Sequence, residues 1–163
     1  MKHEVKVRYP VPAGTLVALF TEEAFHTRKL RALGVQTFKV LDCGGKGREF
    51  AIRIELRVPM QVPGMLKKVI SPETTALHEE RWNRSTRTGS IQVSSAGAPV
   101  DMCCATAVAD AGQGCVVTYY WEVKARIPLV AGALERFICA DIDERARREQ
   151  AAATALAEPL PPG

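Results

Sequence analysis

Across residues 50–58, Phe50, Ile52, Ile54, Leu56 and Val58 alternate strictly with Ala51, Arg53, Glu55 and Arg57. A period of two sends the two sets to opposite sides of an extended chain, so this segment is a strand with one dry face and one wet face. Such a strand needs antiparallel neighbours of the same pattern, and it needs something to cover the dry face they share.

The neighbours are present. Val5, Val7 and Tyr9 alternate with Glu4, Lys6 and Arg8 before Pro10 and Pro12 end the run. Residues 35–43, 75–83, 89–95, 101–110 and 115–127 form further runs, divided by turn residues such as Gly44-Gly45-Lys46-Gly47, Gly97-Ala98-Pro99 and Ala111-Gly112-Gln113-Gly114. In the last of these, Val117, Tyr119, Trp121, Val123 and Ala125 share a face opposite Glu122, Lys124 and Arg126.

The cover is helical. Between residues 13 and 33 the apolar positions Leu16, Val17, Leu19, Phe20, Ala24 and Phe25 take helical spacing, which predicts two short helices. Thr21-Glu22-Glu23 reads as the N-cap and acidic first turn of the second helix, and Gly34 as its C-terminal stop. A long helix is predicted from Pro128 to about Ala157. Val130, Ala133, Leu134, Phe137 and Ile138 form its apolar stripe, and Asp141/Arg145, Asp143/Arg147 and Glu144/Arg148 are acid-to-base pairs four apart. Residues 60–70, broken by Pro63 and Gly64, read as a flap.

This order specifies an α+β fold: a curved antiparallel sheet of six to seven strands wrapped round a long C-terminal helix, with two short helices after the first strand. The 163 residues, 47% of them hydrophobic, suffice for one domain with a sizeable core, predicted over residues 1–157 with a disordered tail at 158–163. A curved sheet around one helix does not fill its own concavity everywhere, so an apolar pocket is expected between sheet, helix and flap.

Charge and cysteine usage narrow the function classes. The net charge of +4 is dispersed among acids, with no basic block or aromatic-basic stripe, so nucleic acid is not an expected partner. No apolar run approaches the roughly 18 residues of a spanning helix, and the charged first residues do not read as a signal peptide, so a cytoplasmic protein without stable membrane insertion is expected. Cys43, Cys103, Cys104, Cys115 and Cys139 are odd in number and lack metal-ligand spacing. They read as reduced, buried thiols, with no metal and no cofactor expected.

Several stretches in fixed order carry a resemblance. Tyr9 and the helical stretch with Glu22-Glu23-Ala24-Phe25-His26 lead to Leu33-Gly34, and then come Glu80-x-Trp82, Gly97-Ala98-Pro99 and Ile127-Pro128-Leu129-Val130-Ala131-Gly132-Ala133-Leu134-Glu135. From His3 to about Ala155 the chain resembles the DUF2505 family, within the START-like, polyketide-cyclase-like superfamily of helix-grip (Bet v 1-like) folds. It departs from the family pattern in lacking an aromatic residue near the end of the last helix. The resemblance implies the helix-grip fold and, as a class of function, binding, transport or transformation of hydrophobic molecules.

Candidate site residues follow from the pattern. On the run 75–83, His78, Glu80 and Trp82 share one face. If that face is concave, they offer a titratable imidazole, an acid and an aromatic wall to a ligand with a polar end; if it is convex, Leu77 points inward and they are a solvated face. Phe50, Ile52, Ile54, Trp82, Tyr119, Trp121, Leu134 and Ile138 are the predicted walls, with Met65 and Leu66 as a flexible lid. Asp141 and Arg145 fall on the apolar arc of the long helix and read as lying past the sheet edge rather than at a pocket mouth. His3 and His26 look exposed and unpartnered.

The first functional reading is a protein that binds, or binds and transports, a hydrophobic or amphipathic small molecule or lipid. The alternatives are a cyclase-like or hydratase-like enzyme using Glu80 or His78 as acid/base, and a protein-interaction adaptor without ligand.

Overall fold

The computed structural model of the chain describes residues 1–59, 62–68 and 70–157. The predicted tail at 158–163, and Met60, Gln61 and Val69 of the flap, lie outside the described residues. The elements run β1 (Lys2–Tyr9), α1 (Ala13–Phe20), α2 (Glu23–Ala32), β2 (Phe38–Gly44), β3 (Glu49–Pro59), a short 3-10 turn (Gly64–Leu66), β4 (Glu73–Asn83), β5 (Thr88–Ser95), β6 (Val100–Ala111), β7 (Gly114–Ala125) and α3 (Ala131–Ala157).

The strands form a seven-stranded sheet in the order β1-β7-β6-β5-β4-β3-β2. Each neighbouring pair is antiparallel. From β2 to β7 the chain advances strand by strand, as short turns dictate. Only β1 departs from this sequence, at the edge opposite β2, so α1 and α2 carry the chain across the sheet. The alternation in β3 decides which face is covered: Phe50, Ile52, Ile54 and Leu56 are buried, whereas Glu49, Arg53, Glu55 and Arg57 are exposed. Among the described residues no helix is long and apolar enough to cross a membrane.

Local chemistry sets the helix ends. Pro12 precedes α1 and has no side-chain cap to offer; instead the Asp110 carboxylate at the end of β6 accepts the Ala13 amide at 2.8 Å and the Arg87 guanidinium at 3.0 Å. Thr21 does not cap α2. Its hydroxyl bonds back to the Val17 and Ala18 carbonyls of α1, both at 3.0 Å, and accepts Nε of Arg84 at 3.1 Å. The N-cap residue of α2 is Glu22, whose side chain makes no capping hydrogen bond.

The end of α2 follows the sequence reading. Gly34 takes φ +80°, its amide reaches the Arg31 carbonyl and that of Val35 reaches the Leu30 carbonyl, each at 3.0 Å. This doubly bonded C-terminal turn needs a left-handed residue.

The start and surface of α3 differ from expectation. The helix begins at Ala131, not Pro128, because Leu129 sits at φ +72°, outside helical space, with its side chain in solvent. Of the three predicted ion pairs only Asp141–Arg145 forms, at 2.8 Å. Asp143 instead meets His3 Nε2 of β1 at 2.8 Å, and Arg148 donates to the Leu33 carbonyl at 3.0 Å, so two of the supposed surface charges tie α3 to its neighbours. His3 therefore has a partner that lies far away in sequence. The cysteines are all free, but Cys103 is exposed on the outer face of β6, not buried.

The buried side chains form two clusters. One gathers α1, α2 and the inner faces of β1, β3 and β7 around Phe20, Phe25, Phe50 and Trp82. The other gathers Val62, Leu66 and Ile70 with Val100, Val123 and the first turns of α3 around Leu134 and Ile138. Replacing Gly34 with alanine keeps the contacts but forces a Cβ into a left-handed residue, and urea unfolding is expected to show a loss of about 1 kcal/mol.

Candidate functional site

Between the two clusters lies a cavity of about 530 Å³. It is bounded by the inner face of the sheet and by one side of α3. β3 contributes Leu56 and Val58, β4 Ala76, His78 and Glu80, β5 Ile91, Val93 and Ser95, β6 Val100 and Met102, and β7 Tyr119 and Trp121. From the helices come Phe20 and Lys29, and Phe137, Ile138, Asp141, Ile142 and Arg145 to Glu149 of α3 apart from Arg147. The walls are apolar along most of this length, and the charged groups gather where α2 and the second half of α3 approach β4.

The concave face of β4 carries Thr74, Ala76, His78, Glu80 and Trp82. The ambiguity in that strand is thereby settled: Glu79 and Arg81 point outward, and Glu79 meets Arg53 of β3 at 2.8 Å. Of the residues predicted to line a pocket, His78, Glu80, Tyr119, Trp121 and Ile138 stand on the cavity.

Phe50, Ile52, Ile54 and Trp82 do not. They share the concave face, but α1 and α2 cover that part of the sheet, and Phe20 lies 5.4 Å from the Trp82 ring. Leu134 is fully buried under Val123 and the flap cluster, one turn too early on α3 to reach the cavity. Leu66 is buried in the same cluster, and Met65 points away at 70% exposure, so neither lines the cavity as a lid would. Asp141 and Arg145 are on the cavity lining as an exposed ion pair, which puts them at its mouth and not past the sheet edge.

Glu80 is the centre of the polar end. Its side chain is 6% exposed, and its carboxylate accepts Trp82 Nε1 at 2.6 Å on one oxygen and His78 Nε2 at 3.0 Å on the other. His26 Nδ1 stands 3.9 Å from the second oxygen. Burial alone would raise this carboxyl; the His26 imidazole, the hydrogen bond from His78 and the Lys29 ammonium outweigh it and hold Glu80 well below the usual carboxylate range.

His26 is the residue most at odds with the sequence reading. It is 2% exposed, stacks on Phe50 with ring centroids 5.9 Å apart, and donates Nε2–H to the Phe20 carbonyl at 2.7 Å. Burial lowers its pKa, and the attraction of Glu80 does not make up the difference. Lys29, one helical turn on from Phe25, brings its ammonium over the Phe25 ring and to 3.7 Å from Glu149 of α3. Burial works against that charge too, but Glu149 and Glu80 outweigh it and keep the pKa above the ordinary value. Deeper in, burial pushes the Tyr9 and Tyr119 hydroxyls up, so both stay protonated.

The helical spacing of Phe25, His26, Lys29 and Leu30 was the signal available for the inner face of α2. Nothing local in the sequence shows that this face meets β4. Chemically, the arrangement presents an imidazole oriented by a buried carboxylate, a confined ammonium and a phenol at one end of an apolar space. Among the described residues no group of three metal-ligating side chains comes together.

Truncation of Glu80 to leucine leaves the Trp82 indole N–H buried without its acceptor, and a loss of roughly 3 kcal/mol is expected in urea unfolding. The pH profile has a defined sign. His26 has a depressed folded-state pKa, so the unfolded chain binds its proton first and stability falls as the pH drops below about 6.5. Glu80, depressed as a carboxylate, keeps its contribution until the pH passes below about 4.3. In His26→Leu the first of these declines should shrink; an unchanged slope between about pH 7 and 5 would overturn the assignment of a buried, neutral imidazole.

Solved structures share this fold at low identity. A START superfamily protein from Mycobacterium smegmatis aligns with a TM-score of 0.67 at 10% identity, covering 95% of this chain and 98% of that one. TTHA0849 from Thermus thermophilus aligns with a TM-score of 0.64 at 14% identity over 97% of this chain and 100% of its own. The ZhuI aromatase/cyclase from Streptomyces sp. R1128 aligns with a TM-score of 0.61 at 12% identity, covering 96% and 93%. The sheet, the two short helices and the long C-terminal helix are those of the START-like helix-grip fold. No curated protein matches the sequence. The family model for a protein of unknown function, DUF2505, matches residues 4–156, from the first strand to the last turn of α3, and the chain belongs to that family.

Proposed function

We propose that the protein binds one hydrophobic or amphipathic small molecule or lipid in the cavity between the sheet and α3. The observation that carries this reading is the cavity itself. Its volume of about 530 Å³ lies within the roughly 300–1,000 Å³ of small-molecule sites, and its own side chains leave it open. That open space weighs against an adaptor whose interior is filled. Apolar walls from Ile91, Val93, Val100, Met102, Trp121 and Phe137 supply the driving force, about 25 cal/mol per Å² of apolar surface covered. The charged groups at one end supply orientation. Similarity to a START superfamily protein and to an aromatase/cyclase supports the same class of ligand. Five unpaired cysteines fit a reducing compartment and a cytoplasmic site of action.

A second reading, cyclase-like or hydratase-like acid/base chemistry, is favoured by one feature. His78 is held by the buried carboxylate of Glu80 in the manner of a base and its orienting partner. Binding ranks first because the remaining walls are apolar.

Native mass spectrometry of the purified protein, before and after organic extraction, is expected to show a lipophilic guest. Nile red should titrate into the extracted protein at one site, and Val93→Trp, which fills the cavity from β5, should weaken that binding at least tenfold. A protein that carries no guest and does not bind the dye would overturn the proposal. Loss of turnover without loss of dye binding in His78→Gln, should a reaction be found, would establish the second reading.

A further inference from the structure

Most of the cavity's charged groups are matched within the protein, while the Ser95 hydroxyl of β5, buried on the lining, has no hydrogen-bond partner among the described residues. Glu80 accepts from Trp82 and His78, Asp141 pairs with Arg145, and Arg148 donates to the Leu33 carbonyl. Two further groups, both beside Glu80, are not fully matched. Glu80 is an ionised carboxylate and can only accept, so the nitrogen of His78 that faces it carries the hydrogen. In the neutral ring the other nitrogen, Nδ1, presents a lone pair, and it has no hydrogen-bond partner among the described residues. His78 lines the cavity and its side chain remains 26% exposed there. Lys29 is the second group. Its side chain is 16% exposed on the same lining, and its ammonium, 3.7 Å from its ion-pair partner Glu149, keeps hydrogens free to donate. Both flank Glu80, His78 from its own strand and Lys29 from α2.

An acceptor without a partner and an ammonium with hydrogens to spare, at the end of an apolar space, make a code for the ligand's polar group. A carboxylate would turn a lone pair onto Nδ1 and sit beside Glu80 and Glu149. An ammonium would face Lys29. An ether or a ketone would accept a hydrogen bond from Lys29 but leave Nδ1 unmatched. The ionic groups of the lining also balance, with Glu80, Asp141 and Glu149 against Lys29, Arg145 and Arg148, so the site offers no net charge to an ionic head. A hydroxyl matches both groups, because it donates to one and accepts from the other.

We propose that the cavity selects lipophilic molecules that carry an uncharged hydroxyl, an alcohol or a phenol, and that it seats this hydroxyl between His78 and Lys29 with the apolar body along Tyr119, Trp121 and Phe137. The inference rests on the binding reading above and adds the chemistry of the buried end. Discrimination follows from the cost of leaving the acceptor of His78 unmatched when a ligand without a donor displaces water from it.

The test uses four compounds with one body: 2-naphthol, 2-methoxynaphthalene, 2-methylnaphthalene and 2-naphthoate, titrated into the extracted full-length protein and followed by calorimetry or by tryptophan quenching. The expected result is 2-naphthol tightest by roughly tenfold over the methoxy and methyl compounds, with 2-naphthoate weaker than 2-naphthol. In His78→Phe the affinity for 2-methylnaphthalene should persist while the preference for 2-naphthol disappears. Methoxy and methyl compounds that bind as tightly as 2-naphthol would overturn this inference and leave the binding reading standing, and so would 2-naphthoate binding tightest. If none of the four binds, the cavity reading falls with it. Should His78→Phe not fold, the ranking in the wild-type protein decides the matter by itself.

Discussion

A carboxylate has been taken out of water at the junction of α2 and β4, and the surrounding structure is arranged to keep it charged. Glu80 cannot remain buried alone, since the desolvation of a lone anion costs far more than any contact of similar size returns. Its partners come from two layers of the molecule: Trp82 and His78 from its own strand, and Lys29 from the helix packed over it. That requirement fixes the seating of α2 on the sheet. The aromatic stack around it has the same effect, with Phe50 under His26 and Phe20 over Trp82. Moving α2 by a fraction of a turn would uncover the anion, so this end of the fold is held by electrostatics as well as by packing.

The cavity is the complement of that rigid end. α1 and α2 fill the concave face of the sheet near Phe50, Ile52 and Trp82, and the flap segment with the first turns of α3 fills it near Val100 and Val123. Neither cluster reaches the middle, where the face is crossed only by α3. The helix runs along the β1 and β7 edge and sends Phe137, Ile138 and Ile142 toward a space wider than those side chains span. The polar groups that stabilise one cluster thereby also line the open space. A buried ion network is thus tied to the wall of an apolar cavity, which is the arrangement that the proposed binding function uses.

Much of the fold was legible in the sequence because period-two and period-3.6 patterns are local properties of the chain. The strict alternation over residues 50–58, the Gly34 stop and, from Ala133 to Ile138, the apolar stripe of the long helix appear where the pattern puts them, whereas Val130 precedes the helix. Local signals failed where a tertiary partner offered something better. Thr21 looks like an N-cap, yet its hydroxyl finds two carbonyls behind it and Arg84 in front. Asp143 looks like half of a surface pair with Arg147, yet His3 of β1 is closer. The site was legible in part: that His78, Glu80 and Trp82 share a face followed from spacing, whereas which face it was did not.

By itself the sequence determined the strands, the helices, their order and the sidedness of each, since backbone geometry converts residue spacing directly into faces. It also placed the chain in a family and a fold class. Only the tertiary structure decided that the face bearing Glu80 turns inward, that His26 is buried against it, and that Phe50, Ile52 and Ile54 are core while Leu56 and Val58 border open space. Those outcomes depend on how far each helix extends over a curved sheet, a relation between segments distant in the chain. No single segment carries that information, and so the cavity exists only in the folded protein.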